Sequence, residues 1–269
     1  MAEPVAGQLL AGRRALILGV ANDHSIAWGI ARALHAQGAE LAFTYQGEGF
    51  GRRVKPLAES LGARIILPAD VQDPDSLDAL FARITEEWGQ LDILVHAIAF
   101  SDKAELDGRF VDTTRANFLR SLDISCYSLV DLTRRAAPLM AAGGSVMTLS
   151  YLGAQRVTPH YNVMGVAKAA LESAVRYLAN DLGPQGIRVN AISPGPMRTL
   201  AGAAISGARR IYQAAEENAP MRANATLEAI GGTAVYLASD LGACTTGEVI
   251  FVDGGFHVLG MVQPENLGA

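Results

Sequence analysis

The sequence predicts an α/β fold, a single doubly wound domain spanning residues 1–269 with a seven-stranded parallel sheet. Two observations carry this expectation. Short aliphatic or β-branched runs alternate with longer amphipathic stretches along the whole chain. The short runs are apolar on both faces, as strands covered by helices on either side must be. Connections between such strands are right-handed, which makes a Rossmann arrangement the default. A chain of 269 residues can bury a sizeable core, and 50% hydrophobic against 18% charged residues suits a compact α/β domain.

Taken in order, strands are expected at 15–18, 41–45, 64–68, 93–97, 145–150, 188–192 and 248–252. The amphipathic stretches between them place helices at 26–37, 50–61, 74–88, 110–141, 159–183 and 227–239. Ser25 stands where the first helix needs a cap, and Asp73-Pro74 opens the third. Residues 194–222 break the alternation. They are rich in Ala and Gly, and follow the sixth strand at its carboxyl end, where a doubly wound fold places a ligand cover.

Composition excludes several function classes. The formal charge of −5, without a dense Lys/Arg block, argues against a nucleic-acid surface. Cys126 and Cys244 are too few and too far apart for a disulfide framework or a structural zinc, and are expected as buried thiols. The five histidines lack ligand spacing, so no metal is expected. The first residues carry neither a basic nor an apolar signal-peptide region, and no run is apolar over a membrane's thickness. A cytoplasmic location without membrane attachment is expected.

The first strand runs into Gly19, followed by Ser25 and Ile26, in a departure from GxGxxG. Gly19 suits a tight strand-to-helix turn, Ser25 can cap the helix, and the free N–H groups near Ser25 and Ile26 can take a pyrophosphate. By itself this is as compatible with a plain turn. Gln46 after the second strand, Asp70-Val71 after the third and Ile98 after the fourth supply the rest. All lie at carboxyl ends of parallel strands, and together they favour a dinucleotide. Gln46 and Glu48 put a neutral and an acidic group at the ribose, which favours NADH, while Arg52 and Arg53 are expected on a solvated helix face.

The fifth strand ends at Ser150-Tyr151, and the next helix is expected to carry Tyr161 and Lys168. Seven residues make two helical turns, so the two share a face. A lysine ammonium beside a phenol would lower the tyrosine pKa. The same spacing also describes an amphipathic helix with one aromatic and one snorkelling lysine.

The ladder of Gly19, HAIA (96–99), Lys168, RVNAISPGPMRT (188–199) and Asp253-Gly254-Gly255 resembles the short-chain dehydrogenase/reductase superfamily. Ordinary members have a serine and then Tyr-x-x-x-Lys. Here Met164 lies four before Lys168, Tyr151 takes the serine's place, and the tyrosine has moved one turn earlier to Tyr161. That Tyr-x6-Lys pattern, with AFTYQ (42–46), SYLGA (150–154), YNVMGVAKAALE (161–172), GPMRTLA (195–201) and TGEVIFVDGG (246–255), resembles the divergent branch of enoyl-[acyl-carrier-protein] reductases.

The resemblance implies reduction of trans-2-enoyl thioesters on acyl carrier protein, with NADH, in fatty-acid elongation. It implies that Tyr161 bonds the thioester oxygen, that Lys168 holds the nicotinamide ribose, and that Tyr151 and Ser101 line the substrate pocket. Met197, Arg198, Thr199, Leu200 and Ala201 would meet the carboxamide and phosphates. A homotetramer is implied too. His160 departs from the uncharged residue expected there, and 201–208 is looser than the family's usual cover. Arg209 and Arg210, in that cover, are candidates for the acidic carrier protein. A ketoacyl or alcohol-type reductase is disfavoured by Tyr151 and Met164. A catalytically inactive NAD-binding sensor is disfavoured by the presence of both Tyr161 and Lys168.

Overall fold

The strands of the computed structural model align as one all-parallel sheet in the order β3-β2-β1-β4-β5-β6-β7. The structure describes residues 4–200, 202 and 206–266. Chain order is β1 (Arg14–Leu18), α1 (Ile26–Ala36), β2 (Glu40–Tyr45), α2 (Gly47–Ser60), β3 (Ile65–Pro68), α3 (Pro74–Trp88) and β4 (Ile93–His96). It continues with α4 (Arg115–Leu122), α5 (Ser128–Ala136), β5 (Gly144–Leu149), α6 (Val163–Leu182), β6 (Ile187–Pro194), α7 (Ala208–Asn218), α8 (Leu227–Ala238) and β7 (Val249–Val252).

The apolar alternation along each strand divides between two cores. Ile17, Phe43, Val95 and Ile192 face Trp28, Ile30 and Leu34 of α1, Val54 of α2, and Ile230 and Leu237 of α8. Leu16, Leu94, Val146 and Val189 face Leu77 and Ile84 of α3, Leu129 and Leu132 of α5, and Leu171 and Val175 of α6. Burying both faces is what makes these strands read as unbroken hydrophobic runs. The strand order reverses between β1 and β4, whose register sets Leu18 beside His96. The crevice at this switch point is where such sheets take ligands.

Two expected helices are broken, each for a local reason. In place of one helix over 110–141, α4 begins at Thr114, whose Oγ1 accepts from the Asn117 N–H at 3.2 Å. A π turn, Asp123–Tyr127, then joins α4 to α5, and Pro138 lies in the short 3-10 turn that closes the segment. The helix expected over 159–183 starts only at Val163, because His160 and Asn162 take left-handed φ of 59° and 39°. Asn162 is held there by donating to the Glu105 and Leu106 carbonyls at 3.2 and 3.0 Å. Within 194–222, α7 is the α-helix among the described residues. Cys126 is half-buried, but Cys244 is exposed, because it follows the 3-10 turn Asp240–Gly242 on the surface before β7.

Candidate active site

At the β1 end, Gly19 has φ 100°, and a Cβ there would collide with the Ala97 carbonyl. The loops after β1 and β4 therefore approach too closely at Gly19 for any side chain there. Ser25 does not cap α1 with its side chain. Its Oγ turns back to accept the Ala21 and Asn22 N–H groups at 3.0 and 3.1 Å, pinning the loop. Ile26 begins α1, and the Ser25 carbonyl accepts from the Trp28 and Gly29 N–H groups at 3.0 and 3.2 Å, so the helix N-terminus opens directly on this loop. Gln46 donates from Nε2 to Asp70 Oδ2 at 3.0 Å, linking the ends of β2 and β3. Asp70 Oδ1 also accepts from the Gln72 N–H at 2.9 Å. Val71 and Ile98 pack, half-buried, on the core beneath. Arg52 and Arg53 are exposed, and Arg53 lies over the Phe50 ring 5.4 Å from its centroid.

At the β5 end, Tyr161 lies in the turn before α6, so the two-turn helical spacing does not hold. The two side chains instead bracket the end of β5. Lys168 Nζ donates to the Leu149 carbonyl at 2.7 Å, and Tyr161 meets Tyr151 edge-on, ring centroids 4.9 Å apart. Tyr161 also rests on Gly153, where a Cβ would strike its ring, and clusters with Leu106 and Met164. Ser101 donates from Oγ to Asn117 Oδ1 at 3.3 Å, in the loop between β4 and α4.

The expected lowering of the Tyr161 pKa is not found. Burial, and secondarily Tyr151, push it up, and burial pushes Tyr151 to about 12. Both rings are held as neutral phenols, hydrogen-bond donors rather than phenolates. Burial brings Lys168 down to about 8, against the opposing pull of Cys126 and Glu172.

His96 is fully buried and lowered to about 3, by desolvation first and by Lys168 second. Its Nδ1 and Nε2 lie 2.8 Å from Thr148 Oγ1 and Ser128 Oγ. Ser128 donates its proton to the Ile124 carbonyl at 2.6 Å, so it accepts from Nε2–H while Thr148 donates to Nδ1. A neutral imidazole thus ties β4, β5 and α5 together. Glu172, also missed as a site residue, accepts from Ser150 Oγ at 2.6 Å and Gln155 Nε2 at 3.2 Å. A charged residue one turn beyond Lys168 on the buried face of α6 was the available signal.

After β6, Met197 packs half-buried on the core and Arg198 stacks over Tyr212, 4.4 Å from its ring centroid. Thr199 Oγ1 accepts from the Gly202 N–H at 3.0 Å, and Leu200 is half exposed. Ala201 lies outside the described residues. Arg209 and Arg210 are exposed in the first turn of α7. No group of three or more metal-ligating side chains is found among the described residues.

The family model described as enoyl-(acyl carrier protein) reductase matches residues 19–257. An enoyl-[acyl-carrier-protein] reductase [NADH] of Rhizobium meliloti is 57% identical over 259 residues, covering 96% of this chain and 97% of that protein. The crystal structure of the reductase of Anaplasma phagocytophilum in complex with NAD superposes with a TM-score of 0.93 at 57% identity, covering 97% of this chain and 99% of that one. The Bacillus cereus reductase, crystallised with NADP+ and an indole naphthyridinone, gives a TM-score of 0.93 at 50% identity, covering 94% and 100%.

Proposed function

The chain belongs to the enoyl-(acyl carrier protein) reductase family, and from that premise and the site geometry we propose how it reduces trans-2-enoyl chains on acyl carrier protein with NADH, in fatty-acid elongation. The observation that carries the assignment is Tyr161, a buried neutral phenol packed on Tyr151 beside the end of β5. Charge develops on the thioester oxygen as the β-carbon is reduced, and a phenol held protonated donates to it. Lys168, anchored on the Leu149 carbonyl, would hold the ribose hydroxyls and presents an ammonium below pH of about 8. Tyr151 and Ser101 border the acyl chain.

The residues present fit a dinucleotide. Gly19 lets the backbone approach closely, the pinned Ser25 loop leads into the N-terminus of α1, and Ser193 Oγ is buried without a partner among the described residues. When bound, NADH supplies the hydride. Gln46 and Asp70 would meet the adenosine, Val71 and Ile98 would lie beneath it, and Met197, Arg198, Thr199 and Leu200 would meet the nicotinamide and phosphates. Gln46 is tied to the Asp70 carboxylate and the nearby Lys55 lies 4.0 Å from Glu48, which supports NADH over NADPH.

Exposed Leu119, Tyr127 and Tyr177 on α4, the π turn and α6 support pairing of copies in a homotetramer. No described helix is long and apolar enough to cross a membrane. Among the described residues after β6, those of α7 (Ala208–Asn218) cover the substrate. Within them Arg209 and Arg210 meet the acidic carrier protein. Replacing both by Ala raises KM for acyl-carrier-protein substrate, less so at higher ionic strength, and leaves a short coenzyme A thioester nearly unaffected. Equal KM on the carrier-protein substrate removes the docking role.

The test of the reaction is NADH oxidation with crotonyl against acetoacetyl thioester. Oxidation with crotonyl alone is expected, and a faster rate with acetoacetyl contradicts the assignment.

A further inference from the structure

The buried face of α6 is apolar at Val163, Met164, Ala167, Leu171, Val175 and Ala179, and it carries two charged residues, Lys168 and Glu172, each 5% exposed. A carboxylate is not left in such a place without partners that offset its desolvation. Glu172 has two. Oε1 accepts from Ser150 Oγ at 2.6 Å and Oε2 accepts from Gln155 Nε2 at 3.2 Å. Ser150 and Gln155 flank the short turn at Leu152–Ala154, whose own bonds join Ala154 N–H to the Tyr151 carbonyl at 2.9 Å and Gln155 N–H to the Leu152 carbonyl at 3.0 Å. One carboxylate thus clips both ends of the segment bearing Tyr151, which meets the Tyr161 ring, and Gly153, on which Tyr161 rests. Just before Ser150, the Leu149 carbonyl receives Lys168.

We infer that Glu172 is the positioning residue of this active site, holding the 150–155 segment against α6 so that Tyr161 and Lys168 keep one arrangement. Glu172 also places a carboxylate one helical turn from Lys168 on the same buried face of α6, which gives it an electrostatic role beside the positioning one. Cys126 from the π turn is a thiol pushed up by burial, His96 from β4 is neutral, and Tyr151 and Tyr161 are phenols. Cys126 first and Glu172 second hold Lys168 up against its burial; of the two, Glu172 is the carboxylate. Ser150 and Gln155 neutralise nothing; they fix where that charge sits.

The inference rests on Lys168 acting in catalysis, so the experiment carries Lys168→Ala alongside. The pH dependence of kcat/KM for crotonyl thioester and NADH is measured for the wild type, Glu172→Gln, Glu172→Asp and Ser150→Ala. Glu172→Gln removes the charge at nearly constant shape, and its alkaline limb is expected to move down by about 0.5 pH unit or more. Glu172→Asp keeps the charge but not the reach, and Ser150→Ala keeps the charge but loses one tether. Both are expected to lose roughly fivefold or more in kcat with the limb unmoved. A Glu172→Gln limb coincident with wild type overturns the electrostatic role. Should that variant not fold, wild-type kcat in Ser150→Ala overturns the positioning role. Full activity in Lys168→Ala removes the underlying assignment, whereas low activity there with a wild-type limb in Glu172→Gln and wild-type kcat in Ser150→Ala removes the Glu172 inference alone.

Discussion

The two ends of the crevice are built from different materials. The β1 end is backbone and small residues: Gly19 against Ala97, Ser25 Oγ on two N–H groups, and Gln46 tied to Asp70 at the surface. The β5 end is a buried set of titratable side chains: Tyr161, Lys168, His96 and Glu172, each below 10% exposed and each moved or held by its neighbours. A surface of donors and close approaches discriminates shape, so changes there should register as affinity. A dry site in which the charge on one group depends on another should register changes as rate and as pH dependence.

Gly19→Ala should break the first half of that contrast most severely. The φ of 100° is strained for alanine, and its methyl would displace the Ala97 carbonyl. NADH binding, followed by titration of its fluorescence, is expected to weaken by about 100-fold or more, through loss of about 3 kcal/mol. Binding within a few-fold of wild type would show that the two loops do not need to touch. Lys168→Ala sits where the ends meet, and should lose both NADH affinity and turnover by roughly tenfold each. In the wild type the rate should decline as pH rises through about 8, where the ammonium is lost. Wild-type NADH affinity in the variant would remove the ribose role. The smallest effect belongs to Arg52 and Arg53. Exposed on α2, they should leave the preference for NADH within about twofold when both are replaced by Ala. A higher kcat/KM with NADPH in the wild type would reassign them to a 2′-phosphate.

The same contrast explains what could be read in the sequence. The parallel sheet was legible because burial on both faces leaves unbroken apolar runs, and α3 falls on Pro74–Trp88 because Asp73, Pro74 and Gly89 mark its ends. The placement of Gln46, Asp70, Val71 and Ile98 just past strand ends followed from topology alone. Ser25 was misjudged in detail, since a capping serine and one that folds back on its own loop look alike in sequence. The interruption at 123–127 was hidden, because a π turn keeps helical composition while shifting phase. The left-handed His160 and Asn162 were hidden also. Their conformations are held by tertiary bonds from Asn162 to Glu105 and Leu106, and His160 lies 2.9 Å from Asp107. That distant anchoring is why Tyr161 precedes α6 rather than riding on it. The direction of its pKa was equally out of reach, because burial outweighs any charge that spacing could suggest.

The central claim is that a neutral Tyr161 supplies the proton-bearing donor for the thioester oxygen while others hold the cofactor. Tyr161→Phe tests it most directly, because the ring and its packing on Tyr151, Gly153 and Met164 are kept and only the hydroxyl is lost. Turnover of crotonyl thioester and NADH affinity are measured on the same preparation. Turnover is expected to fall by roughly 100-fold or more with NADH affinity within a few-fold of wild type. Undiminished turnover in the phenylalanine variant would contradict the account.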